Sequence, residues 1–406
     1  MTADVSKGRR RPWRTALVEQ APRPPRPTDY PSRLHSSAVA ARVGIALGLA
    51  FAVCFVTGLS SHLIQHPPGW FVWPSGPVWL YRVTQGLHVS TGIASIPLLL
   101  IKLWAVSPRF WQWPPVTSVV NGLERGSMFL LVGAAFFELI TGLFNVAEFY
   151  PWGFFFPPVH YAVAWVAIGA LVVHIAVKLP VIRAALSGSL ESEPVHDVDD
   201  PAASARTFTG PLTRRGLLAL AGGAALTTVL ATVGDKIPAL RRISILAQRD
   251  GSGPQGLPVN NTAHSAGVLA SATDPAWRLT VVGPQQTRRS FSLSELRSLP
   301  QVTATLPISC VEGWSQSATW TGVRLGDLLA IVGGDGRGAT MTSLETGLYA
   351  VSEVSATVAA DPLTLIALDL ESTPLDIDHG YPARLIGPNR PGVLQTKWLS
   401  RIEVHE

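Results

Sequence analysis

Four histidines lie in or beside long apolar stretches, where an ionisable side chain is costly and therefore a candidate for function. His160 and His174 are 14 residues apart. That spacing is about 21 Å along a helix and close to four turns, so both rings face the same side. By their predicted depth in the membrane, His160 lies level with His88, and His174 lies level with His35. Each pair can supply both axial ligands of one haem iron, which suits electron transfer; an interhelical hydrogen bond is the alternative role for such a histidine.

Other polar residues of the apolar stretches have rival interpretations. His62 and His66, near the end of the first stretch, are alternative ligands that rank below the two pairs. Glu138 lies in the middle of the third stretch. A protonated carboxyl bonded to a neighbouring helix is the favoured interpretation of Glu138, and a proton or quinone role is the other.

Cys310 is the candidate for chemistry in the polar second half of the chain. The other cysteine, Cys54, lies in an apolar stretch, so the two predict neither a zinc site nor a disulfide framework. His379, Arg384 and Lys397 follow in a turn-rich segment. One thiolate with cationic side chains suits a soft metal carried by an anionic organic cofactor, with Arg and Lys on phosphate. A cysteine nucleophile with His379 as base remains the alternative.

The composition indicates that membrane helices position the histidines. Of 406 residues, 47% are hydrophobic and 15% charged, against about 25% charged in an ordinary soluble domain. A small secreted or disordered protein is therefore excluded. The formal net charge of +5 comes with no nucleic-acid signature, so we expect no nucleic-acid partner.

Apolar stretches long enough to cross about 30 Å of hydrocarbon occur four times. They cover residues 37–63, 83–106, 128–149 and 158–177. The connection at 66–80 contains three tryptophans and no Lys or Arg, whereas Lys102 lies near the end of the second stretch and Arg109 and Arg125 follow it. Because cationic loops stay in the cytoplasm, the N-terminus is predicted to be cytoplasmic.

A fifth apolar run follows Arg214 and Arg215 and ends near Val233. An ordinary membrane anchor is one interpretation. The other is a twin-arginine export signal, which the run resembles and which would make the twin-arginine translocase a partner. Either way, an odd number of spans places everything after Val233 outside the cytoplasm.

The chain therefore divides into six segments. They are a disordered basic cytoplasmic arm (1–34), a four-helix transmembrane domain (35–183), a cytoplasmic linker (184–212), a signal-anchor helix (213–235), a second linker (236–256) and a catalytic domain (257–406). The last has short alternating apolar runs, such as 277–282 and 363–368, and short helical patterns at 293–299 and 325–331. This mixture predicts an α+β domain.

The transmembrane part resembles the four-helix di-haem cytochrome b subunits of membrane formate dehydrogenases and hydrogenases. The segments "RLHSSAVAARVGIALGLAFAVCFVTGL" and "HYAVAWVAIGALVVH" carry the resemblance. It implies two b haems, the outer held by His88 and His160 and the inner by His35 and His174.

The final domain resembles the molybdopterin domain of the sulfite oxidase family and is similar to periplasmic methionine-sulfoxide reductases within it. This resemblance rests on four features: Cys-Val-Glu-Gly-Trp-Ser, Trp320 with Gly322, "DPLTLIAL" and "HGYPARL…P…KW". It implies that Cys310 coordinates molybdenum and is the catalytic residue. It further implies that the pterin and its phosphate are held by His379, Arg384, Gly392 and Lys397, with Thr346, Asn260 and Asn261 as further contacts.

The resulting expectation is an all-α transmembrane four-helix haem bundle with a fifth anchor helix, followed by an α+β sulfite-oxidase-type domain. Together these imply a multi-pass oxidoreductase that exchanges electrons between quinol and an extracytoplasmic S- or N-oxide. Glu312 stands where sulfite oxidases have an arginine-bearing segment, which disfavours sulfite. Oxidation of a small substrate with quinone reduction is one alternative, and a haem conduit with a cofactor-free binding module is another.

Overall fold

A computed structural model describes residues 32, 34–110, 116–190, 211–233, 238–247 and 253–405. Most of the predicted basic arm and most of the first linker lie outside these residues. The described residues contain five helices that are long and apolar enough to cross a membrane. They are α1 (Ser37–Gln65), α2 (Leu80–Phe110), α3 (Val119–Val146), α4 (Phe156–Ser187) and α5 (Arg214–Val233).

Local sequence explains where these helices begin. The Ser36 hydroxyl accepts a hydrogen bond from the Val39 N–H at 3.1 Å, and Ser118 caps α3 in the same way. The helices differ from the predicted stretches mainly in length: α4 continues to Ser187 and α3 starts at Val119. Apolar content marks only the part of a helix suited to hydrocarbon, and polar turns extend beyond it.

The fifth helix packs against the other helices instead of standing apart as an anchor. Leu217, Ala221 and Ala225, spaced four residues apart, are buried in a core shared with α1 and α2. Its first residue, Arg214, is 9% exposed and donates to the Leu190 carbonyl at 2.9 Å. The membrane part is therefore a bundle in which α2 contacts α1, α3 and α5.

The remaining part is an α+β domain, as the sequence predicts, and its strands form two five-stranded sheets. Its strands are β1 (Leu279–Val282), β2 (Arg288–Phe291), β3 (Val302–Ser309), β4 (Ser315–Arg324), β5 (Ala339–Ser343), β6 (Val351–Val354), β7 (Leu365–Leu370), β8 (Thr373–Pro374), β9 (Arg384–Ile386) and β10 (Leu399–Val404). Its short helices are α6 (Leu269–Ala272), α7 (Leu293–Ser298), α8 (Leu325–Ile331) and α9 (Ala356–Ala359).

One sheet has the order β2-β1-β10-β5-β6, and the other runs β3-β4-β7-β8, with β9 also paired to β7. Only β1 and β10 pair in parallel, and the other described pairs are antiparallel. The hairpin of β3 and β4 carries Cys310 in its turn. Apolar side chains of both sheets fill the core, with Trp320 and Leu365 fully buried.

The α+β domain is seated on the end of the bundle where α2 begins. Asn389 makes the central contact: its Nδ2 donates to the Pro74 carbonyl at 2.7 Å, and its Oδ1 accepts from the Tyr81 N–H at 2.6 Å. The Trp73 indole also donates to the Asn389 carbonyl at 3.0 Å. Val78 packs into the apolar core of the sheet domain. The α+β domain therefore contacts the bundle through the predicted outer connection, residues 66–80.

Candidate active site and bundle cavity

Cys310 follows the last residue of β3 and is 5% exposed. Its Sγ accepts a hydrogen bond from Asn260 Nδ2 at 2.9 Å, and the same nitrogen donates to Glu312 Oε2 at 2.6 Å. Burial, reinforced by the Glu312 charge, raises the pKa of the Cys310 thiol. A thiol in this position needs a metal or another cation to become a thiolate.

Two predicted pterin contacts, Arg384 and Lys397, converge in the turn-rich segment. Arg384 is 3% exposed and donates to the carbonyls of His379 at 3.0 Å and Gln395 at 3.2 Å. Lys397 Nζ donates to the carbonyls of Asn261 and Asp378. Burial lowers the pKa of Lys397 to about 7 and that of Arg384 to about 9. Two buried cations bonded mainly to neutral carbonyls can accommodate an anionic group.

The residues present fit an anionic cofactor. The Nε atoms of Arg384 and Arg390 are buried and have no hydrogen-bond partner among the described residues. Such donors need an acceptor, which phosphate oxygens supply. Gly392 keeps the backbone close to the metal-binding turn, since a Cβ there would lie 3.3 Å from the Ser309 carbonyl oxygen. Cys310 would hold the metal, and the two arginines with Lys397 would hold the pterin phosphate.

The other residues predicted to contact the pterin differ from one another in burial and in hydrogen-bond partners. His379 is buried and its Nε2 lies 2.6 Å from the Pro254 carbonyl, while burial lowers its pKa to about 4. The described hydrogen bonds of Cys310 and His379 do not join the two residues, so the alternative of a Cys310 nucleophile with His379 as base has no support in these contacts. Asn261 donates to Glu345 Oε2 at 2.9 Å, and the neighbouring Thr346 is exposed.

Two tyrosines near Cys310 have no counterpart in the sequence prediction. Tyr349 belongs to the segment after β5, and Tyr150 to the connection between α3 and α4. Both phenols lie within electrostatic range of Cys310 and Glu312. Burial first, and those acidic groups second, raises the pKa of Tyr150 to about 12 and raises that of Tyr349. Lone tyrosines in loops carry no sequence signal that separates them from surface residues.

A large cavity opens inside the bundle beneath this site. It contains about 1520 Å³ of space free of protein atoms, part of it open to the outside. His88 and His160 face each other in its wall with ring centroids 6.4 Å apart. Val311, directly after Cys310, also lines the cavity. The space between the two rings therefore extends to the peptide beside the candidate metal ligand.

Both outer histidines have the secondary contacts that metal-binding imidazoles use. His88 Nδ1 is 2.9 Å from the Cys54 carbonyl, and His160 Nδ1 is 3.2 Å from the Thr141 hydroxyl. These contacts leave each Nε2 directed elsewhere, and that of His160 lies 3.1 Å from Glu138 Oε2. The two imidazoles would hold a haem iron between them, His160 by giving up its contact with Glu138. Gly58 makes room, since a Cβ there would lie 2.8 Å from His88 Cε1.

Glu138 lies in the wall of the same cavity. Its Oε2 is 3.1 Å from His160 Nε2, and its Oε1 is buried with no hydrogen-bond partner among the described residues. The rival ligands are also at the cavity: His62 stacks on Tyr161 with centroids 3.7 Å apart, and His66 is exposed. His62 is therefore engaged by an aromatic neighbour, whereas His88 faces the open space.

The inner histidines have different surroundings. The His35 ring lies against the Trp104 indole, with centroids 4.4 Å apart. His174 is within electrostatic range of Lys102, Lys178 and Glu124. Lys178 pairs with Glu124, and Lys102 Nζ donates to a main-chain carbonyl of α1 at 2.9 Å. This end of the bundle is polar and cationic.

The α+β domain defines the class of protein. Residues 266–406 match the family model for the oxidoreductase molybdopterin binding domain. The match covers both Cys310 and the turn-rich segment that contains Arg384 and Lys397. The chain therefore carries a molybdopterin-binding oxidoreductase domain of the sulfite oxidase family, as the sequence predicts.

Parts of the chain are also similar to individual proteins. The chain is 29% identical over 129 residues to YedZ1 of Azospira oryzae, named as a protein-methionine-sulfoxide reductase subunit, covering 32% of this chain and 49% of that protein. It is 30% identical over 161 residues to mitochondrial sulfite oxidase of Rattus norvegicus, covering 32% and 30%. The sulfane dehydrogenase SoxCD of Paracoccus pantotrophus aligns at 22% identity with a TM-score of 0.31, covering 33% and 40%. The chain thus spans less than half the length of the curated relatives named here.

Proposed function

We propose that this chain is a membrane-bound molybdenum oxidoreductase that uses quinol electrons to reduce an extracytoplasmic S- or N-oxide. The observation that carries the proposal is the cavity shared by the histidines of the bundle and Val311 of the molybdopterin domain. When bound, the molybdenum cofactor would supply two-electron oxygen-atom transfer and b haems would supply single-electron transfer.

The proposal assigns two b haems to the bundle. The outer haem would be held by His88 and His160, and this assignment is supported by their ring separation, their secondary contacts and the adjoining cavity. The inner haem would be held by His35 and His174. This assignment is supported by the sequence, which predicts that both residues lie at the same depth in the membrane.

Charge at the site favours an uncharged oxide as substrate. The Glu312 carboxylate shares the Asn260 donor with Cys310 Sγ and would repel an anion such as sulfite. The Tyr150 and Tyr349 phenols have raised pKa values and therefore stay protonated at neutral pH. A protonated phenol can donate a hydrogen bond to the oxygen of an S- or N-oxide.

The distribution of charge supports an extracytoplasmic site. The domain sits on the tryptophan-containing connection 66–80, whereas Lys102 and Lys178 lie towards the other end of the bundle. Cationic ends of spans face the cytoplasm. Export of the domain would use the twin-arginine translocase through Arg214 and Arg215.

The direct test of the metal assignment is Cys310→Ala. This variant should lose all turnover of dimethyl sulfoxide with reduced benzyl viologen, because the proposed protein ligand of the metal is removed, and it should keep its haem spectrum. Cys54→Ala, which removes the other thiol, is the matched control and should retain turnover. Turnover in Cys310→Ala at the wild-type rate would refute metal ligation by this residue.

A further inference from the structure

The turn that carries Cys310 is built from two internal hydrogen bonds. The Gly313 N–H donates to the Cys310 carbonyl at 3.1 Å, and the Cys310 N–H donates to the Trp314 carbonyl at 2.9 Å. The turn joins β3 to β4 and lies at the boundary with the membrane bundle. The Val311 carbonyl takes part in neither internal bond, and its hydrogen-bond donor belongs to the membrane bundle.

That partner is Gln85 of α2. Its Nε2 donates to the Val311 carbonyl oxygen at 2.8 Å, and its side chain is buried, with 6% of the residue exposed. A buried side-chain amide with a defined acceptor fixes the position of both groups, since separating them would leave polar atoms without partners.

A second contact holds the same turn against the same helix. Gly313 has a φ of +101°, and a Cβ at this position would lie only 2.8 Å from Val89 Cγ2. The backbone of the turn therefore rests directly on α2, one helical turn beyond Gln85. Only glycine combines this backbone conformation with this approach.

We propose that Gln85 is a positioning residue for the catalytic centre, which holds the turn of residues 310–313 against α2 through the Val311 carbonyl. The membrane bundle, together with the sheet domain, then sets the position of the Cys310 thiol. This inference rests on the proposed function in one respect, namely that Cys310 is the metal ligand.

The position of Gln85 also connects the two candidate centres. His88 follows Gln85 by three residues on α2, so both side chains project from neighbouring turns of one helix. A continuous chain of contacts runs from His88 along α2 to Gln85, across one hydrogen bond to Val311 and then to Cys310. A residue that only stabilised the domain interface would not need to contact the peptide adjoining the thiol.

The test is hydrogen–deuterium exchange of the full-length protein in detergent. Gln85→Met removes the donor but keeps an unbranched side chain of similar length, and Gln85→Glu places an oxygen against the Val311 carbonyl. Both variants should exchange the Cys310 and Gly313 amides several-fold faster than the wild type, with the larger effect in Gln85→Glu. Peptides from β1 and β10 should exchange as in the wild type, which shows that the domain is folded.

Gln65→Met provides the matched control. Gln65 also lines the cavity, but its Nε2 donates to the Ser61 carbonyl within α1 at 3.2 Å. Its loss should leave exchange of the turn unchanged. Unchanged exchange in both Gln85 variants, or equal acceleration in Gln65→Met, would overturn the inference.

Turnover separates this inference from the proposed function. With reduced benzyl viologen and dimethyl sulfoxide, Gln85→Met should lower kcat several-fold and leave KM unchanged. The substitution displaces the turn that carries Cys310, whereas the Tyr150 and Tyr349 phenols proposed to bind the substrate stay in place. A wild-type protein without turnover of any S- or N-oxide would count against the proposed function, while the exchange result would still decide the role of Gln85.

Discussion

The two ends of the membrane bundle carry similar histidine pairs but differ in what surrounds them. At the outer end, His88 and His160 face a shared cavity that reaches the molybdopterin domain. At the inner end, His35 packs on Trp104, and His174 lies among charged side chains. Equal spacing along a helix therefore does not make two equal sites, because the neighbouring helices decide whether there is space between the rings.

Removing one histidine from each end gives the largest expected difference. His160→Ala should lose the outer haem and all quinol-driven turnover, because the proposed haem beside Val311 would be the last electron carrier before the catalytic domain. His174→Ala should lose the inner haem and retain the outer one. Reduced-minus-oxidised spectra and haem content of both purified variants provide the measurement. Retention of all haem by His160→Ala would contradict the outer assignment.

An effect of intermediate size is expected where the domain is seated on the outer end. Asn389→Ala removes the contact to the exposed Pro74 carbonyl and leaves the buried Tyr81 N–H without its partner, at a cost of about 1–3 kcal/mol for the buried group. The exposed fraction of Asn389 is 2%. We expect faster proteolytic cleavage of the connection at 66–80 and a lower Tm.

The matched control for the docking contact lies at the inner end. Asn121 accepts a hydrogen bond from the Thr117 N–H at 3.2 Å near the start of α3, in an exposed position. Asn121→Ala should change cleavage and Tm little, since water can replace the lost contact. Equal effects of the two substitutions would argue against a specific docking role for Asn389.

The last expected effect is a pH dependence in the molybdopterin domain, which lies on the outer end of the bundle. In the cofactor-free protein, burial lowers the pKa of Lys397 to about 7 from its ordinary value of 10.5. The unfolded state then binds more protons than the folded state between these pH values, so the free energy of unfolding rises with pH across that window. Binding of an anionic pterin requires protonated Lys397 and should weaken as the pH rises above 7.

Thermal unfolding of the cofactor-free protein at several pH values between 7 and 10 checks this dependence. Lys397→Met should unfold with a shallower dependence on pH, and Arg401→Met, at an exposed ion pair with Glu403, should follow the wild type. An unchanged slope in Lys397→Met would show that another group titrates.

Much of the fold follows from the sequence because its signals are local. Runs of apolar residues predict the five spans, and helical patterns predict the short helices 293–299 and 325–331 to within a residue. The strand ends directly before Cys310, as predicted, and Arg384 and Lys397 lie within the family match. Their role as pterin contacts stays a prediction. The packing of α5 against α1 and α2 has no such signal, since an anchor and a bundle helix are equally apolar.

The contacts between the two parts of the chain could not be predicted from local patterns. Gln85 and Val311 are 226 residues apart, and Asn389 and Pro74 are 315 apart. Each is an unremarkable polar or apolar residue in its own segment. The position of Tyr150 near Cys310 also has no local sequence signal, because only folding brings the connection between α3 and α4 close to Cys310. These long-range contacts are what join the cavity to the catalytic domain.

The most direct test of the account is the metal and haem content of the purified full-length protein, from a host that makes the molybdenum cofactor. Elemental analysis and a reduced-minus-oxidised spectrum on one sample should give about one molybdenum and about two b haems per chain. Haem without molybdenum would contradict the catalytic role of Cys310 and leave the chain a haem conduit with a binding module. Molybdenum without haem would contradict the role of the bundle cavity.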